Sequence, residues 1–532
     1  MGIFISVPKT IECVLTALIL AALSCGVIYR QVGVLQSSGY GSKKYFRWLK
    51  KKGNLAYLRH TFLSALCLLS YAMCALAFSF TGEWSAVIAL SAYLLFFALY
   101  IYADKKVALR SSVTLTPRCK RLFAVTFLVY ALSAYLLVTA LNFVDYLWGY
   151  AFFSYLRYCP LCILPLLLSP LLMLSNGIAK IYEVPHNKKF IRLAKEKLEK
   201  SDIKVIAITG SYGKTSTKNI LYSVLSKKYR VLTTPRSHNT PVGIALAVNN
   251  ANLEDYDIFI AEMGARHVGD IAELCEICPP DISLITGICG QHLETFLSFQ
   301  NIVKAKGEIL DATEGEAIIA DDAYDLFAEY KCVKSRCDCV KDIVCTSDGT
   351  EFTLTLGGDS RTVKTRLLGE HSAYNIALAA QAAFSAGMNL DEIASAVPEI
   401  EQIEHRLQLI ENGGVNILDD GYNSNVKGAR AALKVLNYFK GRKIVVTPGL
   451  VELGVLEEEE NCEFGKNLAG FDLVVLVGDT LVKFVEKGYK QAGGAAEKIR
   501  TVPTLASAQE ELKGYLKQGD TVLFLNDLPD IY

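Results

Sequence analysis

The sequence predicts an α-helical membrane domain of about five transmembrane helices followed by two α/β domains. Three observations carry this reading. Apolar residues make up 52 % of the 532 positions and crowd into the first third of the chain. From Lys204 onward, short apolar runs alternate with helix-like stretches, the pattern of parallel sheets. Directly after the first of those runs, residues 208–217 read Ile-Thr-Gly-Ser-Tyr-Gly-Lys-Thr-Ser-Thr, a glycine-rich turn of the kind that cradles phosphate.

The membrane domain is expected over residues 1–183, with spans near Ile11–Tyr29, Thr61–Phe80, Ser85–Ala103, Leu122–Phe143 and Tyr158–Ala179. Each is about 20 residues, long enough to cross hydrocarbon. A cleavable signal is a poor reading of the first, because four more apolar stretches follow it. Lys and Arg concentrate between the first and second spans (Lys43, Lys44, Arg47, Lys50, Lys51, Lys52) and between the third and fourth (Lys105, Lys106, Arg110, Arg118, Lys120, Arg121). Both connections are therefore expected in the cytoplasm, the N-terminus outside, and the α/β domains inside after an odd number of crossings of a plasma membrane. Residues 184–203 form an amphipathic linker, with Phe190, Ile191, Ala194 and Leu198 on one face and Lys188, Lys189, Arg192, Lys195 and Lys197 elsewhere. Two readings of it stand open: a helix lying on the anionic leaflet, or a connecting helix packed on the first α/β domain.

Strands are expected at Val205–Ile208, Ile258–Ala261, Ile282–Ile285, Ala317–Ala320, Ile417–Leu418, Lys443–Val446, Leu473–Val477 and Val522–Leu525. A break near Val397–His405 divides a central domain, 204–397, from a C-terminal one, 398–532. In the turn after the first strand, Gly210 and Gly213 let backbone N–H groups face an anion, Lys214 is placed to hold phosphate charge, and Thr215 to bind Mg²⁺. The first glycine of the common P-loop is replaced by Ile208, so the loop is a shorter form, G-x-x-G-K-T-S. Glu262 ends a strand at the edge where α/β ligand sites form and could hold Mg²⁺ beside Thr215. His292 follows a glycine-rich turn and Lys306 sits in a helix-like segment, and each alone is ambiguous.

The net charge of +1 says little, and no recurring basic and aromatic stripe suggests a nucleic-acid partner. Fifteen cysteines are read as reduced thiols. Neither Cys275 with Cys278 nor the run Cys332, Cys337, Cys339, Cys345 has the spacing of paired zinc knuckles.

The segments 208–218, Glu262-Met263-Gly264, His292-Leu293-Glu294, 305–308, Gly369-Glu370-His371 with Asn375, His405-Arg406-Leu407, 419–425 and 451–454 follow one another in an order that resembles the Mur ligases, over about residues 201–532. The resemblance is nearest to members that add D-alanyl-D-alanine in peptidoglycan synthesis. It implies a central P-loop ATPase domain and a C-terminal Rossmann-like α/β domain. The implied activity is ATP-dependent formation of an amide bond, through an acyl phosphate, between a cell-wall precursor peptide and D-Ala-D-Ala or a similar amine.

The resemblance also implies roles. Gly210, Ser211, Gly213, Lys214, Thr215 and Ser216 would hold ATP phosphates, and Thr215 with Glu262 one of two Mg²⁺ ions. His292 would bind the second ion, near Lys306 in carbamylated form. Asn375 would meet adenine, Asp420 the ribose, and Arg406 would reach the γ-phosphate from the C-terminal domain, with hinge residues near Val397–Gln402. Lys214, His292, Lys306 and Arg406 are the implied catalytic set.

The likeness stops at the N-terminal side. Members of the family recognise a UDP-sugar peptide through an N-terminal domain, where this chain has apolar stretches, and residues 237–243, Ser-His-Asn-Thr-Pro-Val-Gly, depart from the Asn-Asn-x-x-Gly form. The acceptor is thus open between UDP-linked and lipid-linked peptides, with membrane lipid as a further partner. Alternatives are a ligase for another acidic polymer, or a membrane scaffold with a degenerate nucleotide-binding domain.

Overall fold

The computed structural model describes residues 7–51, 62–70, 73, 91, 94–102, 113–148, 163–235, 238–291, 293–422, 425–451 and 453–526. The chain divides between His186 and Asn187 into two compact units.

The first unit is helical: Val7–Val27, Tyr29–Ser37, Ser42–Lys51, Pro117–Trp148 and the first part of Leu164–Glu199. Leu20, Ala21, Tyr130 and Ala134 are fully buried in its core. Leu128, Leu132 and Leu136, spaced by four on one helix, turn outward. An outward apolar stripe beside an apolar core is the pattern of a helix surrounded by hydrocarbon. Among the described residues, two helices are long and apolar enough to cross a membrane, Pro117–Thr139 and Leu164–Glu199, or three if the pair Cys13–Val27 and Tyr29–Ser37, bent by 51°, is one span. That is fewer than the five expected; about half of each of the stretches expected at 61–80 and 85–103 falls outside the described residues. The bend leaves Gln31 buried, where Oε1 accepts from the Tyr45 hydroxyl at 2.6 Å and the Ser169 hydroxyl at 2.9 Å. These bonds satisfy a polar group that would be costly alone in an apolar interior.

In the second unit the last turns of Leu164–Glu199 bury Ala194 and Leu198 against Ile244 and Val248 of helix Pro241–Asn250. The Lys197 ammonium donates to the Val248 carbonyl at 3.0 Å, and the Asn249 amide to the Phe190 carbonyl at 2.9 Å. Of the two readings of this linker, packing on the α/β domain is the one observed, because its apolar face is spent on protein.

A six-stranded parallel sheet follows. It is built from β1 (Lys204–Thr209), β2 (Val231–Thr233), β3 (Ile258–Glu262), β4 (Ile282–Ile285), β5 (Glu316–Ala320) and β6 (Lys334–Cys337) in the order β2-β3-β1-β4-β5-β6. β3 and β4 are buried along their whole length, as parallel strands covered on both faces require. An antiparallel sheet, β7 (Val340–Thr346), β8 (Gly349–Leu356) and β9 (Asp359–Thr365), packs with helix Glu370–Ser385. After the 3₁₀ turn Val397–Glu399 comes the second large sheet: β10 (Gln408–Asn412), β11 (Val415–Asp420), β12 (Lys443–Thr447), β13 (Leu473–Val477), β14 (Ile499–Val502) and β15 (Thr521–Leu525), ordered β10-β11-β15-β12-β13-β14. Only the β10–β11 pairing in it is antiparallel. Cys275, Cys278, Cys337 and Cys339 belong to the hydrophobic cores.

Candidate active site

β1 lies between β3 and β4, so three strand ends bring their loops together at one edge of the sheet. The β1 loop curls at Gly210 and Gly213, whose φ angles are +148° and +78°. A side chain at Gly210 would put its Cβ 2.2 Å from Thr286 Oγ1, so the loop closes against the β4 end only with glycine there. Helix Lys214–Leu225 begins at once, and its first N–H groups have no partners within the helix. That end therefore suits an anion.

Lys214 folds back on its own loop, donating to the Gly210 carbonyl at 2.7 Å. Burial holds its ammonium below the ordinary lysine range, Glu262 raises it again and Arg406 opposes. Glu262, the last residue of β3, is 1 % exposed. Its Oε1 accepts from the Thr215 hydroxyl at 3.1 Å and the Asn239 amide at 3.2 Å. Its Oε2 lies 3.2 Å from the ammonium of Lys218.

A cavity of about 560 Å³ opens over this edge, lined from both α/β domains. Ser211, Gly213, Lys214, Thr215, Ser216 and Glu262 line it from the central sheet. Asn375 adds to that wall, its Oδ1 accepting from the Thr217 hydroxyl at 3.3 Å. Arg406 and Asp420 line it from the C-terminal side. Arg406 donates to the Tyr422 carbonyl at 2.7 Å; burial depresses its basicity, while Asp420 and Glu262 sustain its charge. Its neighbours His405 and Leu407 have φ of +58° and +52°. Such angles are rare outside glycine and cluster at working sites. The Asp420 carboxylate holds this turn by accepting from the Leu407 N–H at 3.1 Å.

Lys306 does not line the cavity; it is 3 % exposed on helix Phe299–Ala312. Burial pushes its ammonium well below the ordinary range, and Lys214 adds repulsion that Asp270, Glu308 and Glu262 partly offset. His292 lies outside the described residues. The structure brings Asn239, retained from the Asn-Asn-x-x-Gly form, onto Glu262, and adds residues to which sequence reasoning gave no role: Lys218, Tyr212, Asp322 and Lys427. Lys218 follows Lys214 by four positions, but a lysine on a helix is by default solvated, and only the fold buries it.

The thiols near this site are quiet. Burial raises Cys289 above the ordinary thiol range, although Lys427 and Lys214 oppose.

A glycine-capped loop on a parallel sheet, an acid at the neighbouring strand end and an arginine from a second domain define a two-domain P-loop α/β protein. Comparison with known proteins agrees and goes further. The Mur ligase middle domain matches residues 208–383, and the Mur ligase, glutamate ligase domain matches 405–526. The UDP-N-acetylmuramoyl-tripeptide–D-alanyl-D-alanine ligase of Mycobacterium bovis is 30 % identical over 354 residues, 60 % of this chain and 69 % of that protein. The Escherichia coli ligase of the same name is 34 % identical over 294 residues, 52 % of this chain and 64 % of its own length, so the chain spans just under two thirds of that relative. MurF ligase from Thermotoga maritima, solved in complex with ADP, superposes with a TM-score of 0.58 and 27 % identity, covering 65 % of this chain and 81 % of that one. The chain belongs to the Mur ligase family.

Proposed function

We propose that this chain is an ATP-dependent amide-forming ligase that joins D-Ala-D-Ala, or a similar amine, to a muramoyl peptide carboxylate at a membrane. The observation that carries the reading is the convergence, in one cavity, of Lys214, the Thr215–Glu262 pair and Arg406 from the other domain. The names of the relatives support the substrate class.

ATP phosphates would rest on the N–H groups after Gly213, displacing the Lys214 ammonium from its own loop carbonyls toward the β- and γ-phosphates. The donor set fits Mg²⁺: on the cavity side Thr215 offers a hydroxyl and Glu262 its carboxylate Oε1, both hard oxygen ligands. Thr215 and Glu262 would hold one ion, and His292 with carbamylated Lys306 a second. Bound Mg²⁺ supplies charge neutralisation for the transferring phosphoryl group. The Lys306 environment favours the neutral amine, the form whose nitrogen attacks CO₂ and loses a proton to become an anionic carbamate. Asn375 would face adenine and Asp420 the ribose.

In the first step an acceptor carboxylate oxygen attacks the γ-phosphorus and ADP leaves, with Arg406 donating to the γ-phosphate oxygens. In the second, the amine nitrogen attacks the acyl carbon, phosphate departs and the nitrogen gives up a proton. Closure of the C-terminal domain about residues 397–402 would bring Arg406 in and keep water from the acyl phosphate.

Phosphate release with a muramoyl tripeptide and D-Ala-D-Ala, with the amide product identified by mass, tests the reading. A scaffold with a degenerate site releases none. A ligase for another acidic polymer releases phosphate only with its own acceptor.

A lipid-linked acceptor is favoured over a UDP-linked one by the apolar helices that precede the catalytic domains. Detergent-solubilised protein that turns over the UDP-linked tripeptide as well as the lipid-linked one would sink that preference.

A further inference from the structure

Lys218 is 1 % exposed, one turn beyond Thr215 on the same helix, and is not among the residues that line the cavity. Its ammonium lies 3.2 Å from Glu262 Oε2 and donates to the Thr234 carbonyl at 3.0 Å. The Thr234 hydroxyl in turn accepts from the Glu262 N–H at 3.2 Å, so one residue ties down both Lys218 and the backbone of Glu262. The other carboxylate oxygen, Oε1, takes its two bonds from Thr215 and Asn239, which do line the cavity. The carboxylate is thus divided: Oε1 belongs to the cavity, and Oε2 faces a buried cation.

A buried ion pair is weak evidence of a stabilising role, since desolvation of both charges offsets most of their attraction. Its geometry has a chemical consequence instead. Mg²⁺ demands near-octahedral coordination and takes carboxylates through one oxygen, whereas the larger Ca²⁺ accepts six to eight ligands and readily takes both oxygens of one carboxylate.

We propose that Lys218 is a specificity residue for the divalent cation: by holding Oε2 on the interior side it leaves Glu262 a single oxygen to offer, and so selects Mg²⁺ against Ca²⁺. The proposal rests on the reading of Thr215 and Glu262 as cation ligands. Without Lys218 the carboxylate is free to rotate and present both oxygens.

The test is calorimetric binding of Mg²⁺ and of Ca²⁺ to the full chain in detergent with ADP present, comparing wild type, Lys218→Met and Lys218→Arg. Lys218→Met is expected to raise the ratio of Ca²⁺ to Mg²⁺ affinity about tenfold, while Lys218→Arg, which keeps a cation there, stays near wild type. Should Lys218→Met fail to fold, Lys218→Gln is read the same way, because the shorter amide cannot span both Glu262 and Thr234. An unchanged ratio in a folded variant, with only a lowered melting temperature, overturns the selectivity role and leaves the metal reading standing. Wild-type ADP binding that ignores both cations removes the metal reading and this proposal together.

Discussion

Lys427 and Tyr212, from different α/β domains, meet on one carboxylate: the Lys427 ammonium lies 2.8 Å from Asp322 Oδ2, to which the Tyr212 hydroxyl donates at 2.5 Å. The Lys427 ammonium is also 3.3 Å from that hydroxyl and 5.2 Å from the Tyr212 ring centre. Tyr212 is part of the phosphate loop, and burial together with Asp322 keeps its phenol protonated. A second inter-domain pair, Lys434 with Glu370 at 2.7 Å, lies on another wall of the same cavity. The two α/β domains are therefore joined at the loop that would hold nucleotide.

Lys427→Met should weaken nucleotide binding about two- to fivefold, since the pair is half exposed and such pairs contribute at most about 1 kcal/mol. Titration with ADP at low and high salt checks this. Wild type should lose affinity at high salt and the variant should lose less, because screening removes only what the cation supplied.

Lys214→Ala and Glu262→Ala should each lower turnover by on the order of 10³-fold, through loss of charge aimed at the transferring phosphoryl group. Phosphate release under saturating ATP measures it. Full activity in either variant refutes the assigned site.

Lys306→Ala should lose activity and regain part of it in a short carboxylate such as acetate, which can occupy the space of a carbamate. In wild type, ¹³C-labelled bicarbonate should give a carbamate carbon signal that Lys306→Ala lacks. Activity unaffected by the substitution would rule out a role for the modified side chain.

His371 makes stability depend on pH. Burial lowers its pKa from 6.5 to about 4, with Glu370 opposing. Between those values the unfolded chain binds a proton that the folded one refuses. The contribution is therefore present above about pH 6.5 and lost as pH falls toward 4. Melting temperatures of wild type should fall across that window more steeply than those of His371→Gln, and equal slopes would assign the dependence elsewhere.

Eight apolar runs in the sequence correspond to β1, β3, β4, β5, β11, β12, β13 and β15; most of these strands are covered on both faces and therefore mainly apolar, while β11 keeps only Ile417–Leu418 as its apolar centre. β6, Lys-Ser-Arg-Cys, and β9, Asp-Ser-Arg-Thr-Val-Lys-Thr, carry no such signal. Both sit at sheet edges, β9 mostly exposed and β6 half-buried, so their pairing comes from neighbours and not from composition. The linker at 184–203 was equally indeterminate: its apolar face suits a lipid surface or a protein groove, and only Ile244 and Val248 decide between them.

What local order in the sequence supplied by itself was the loop Gly210–Thr215 and the acid at the end of β3, since each depends on residues a few positions apart; the place of Arg406 came only from the resemblance to the Mur ligases. The tertiary structure alone decided which distant groups share an atom. Lys218 and Glu262 are 44 positions apart, and Lys427 and Asp322 are 105 apart. Strand order and the contact between the two α/β domains bring these pairs together, and no short-range pattern records either.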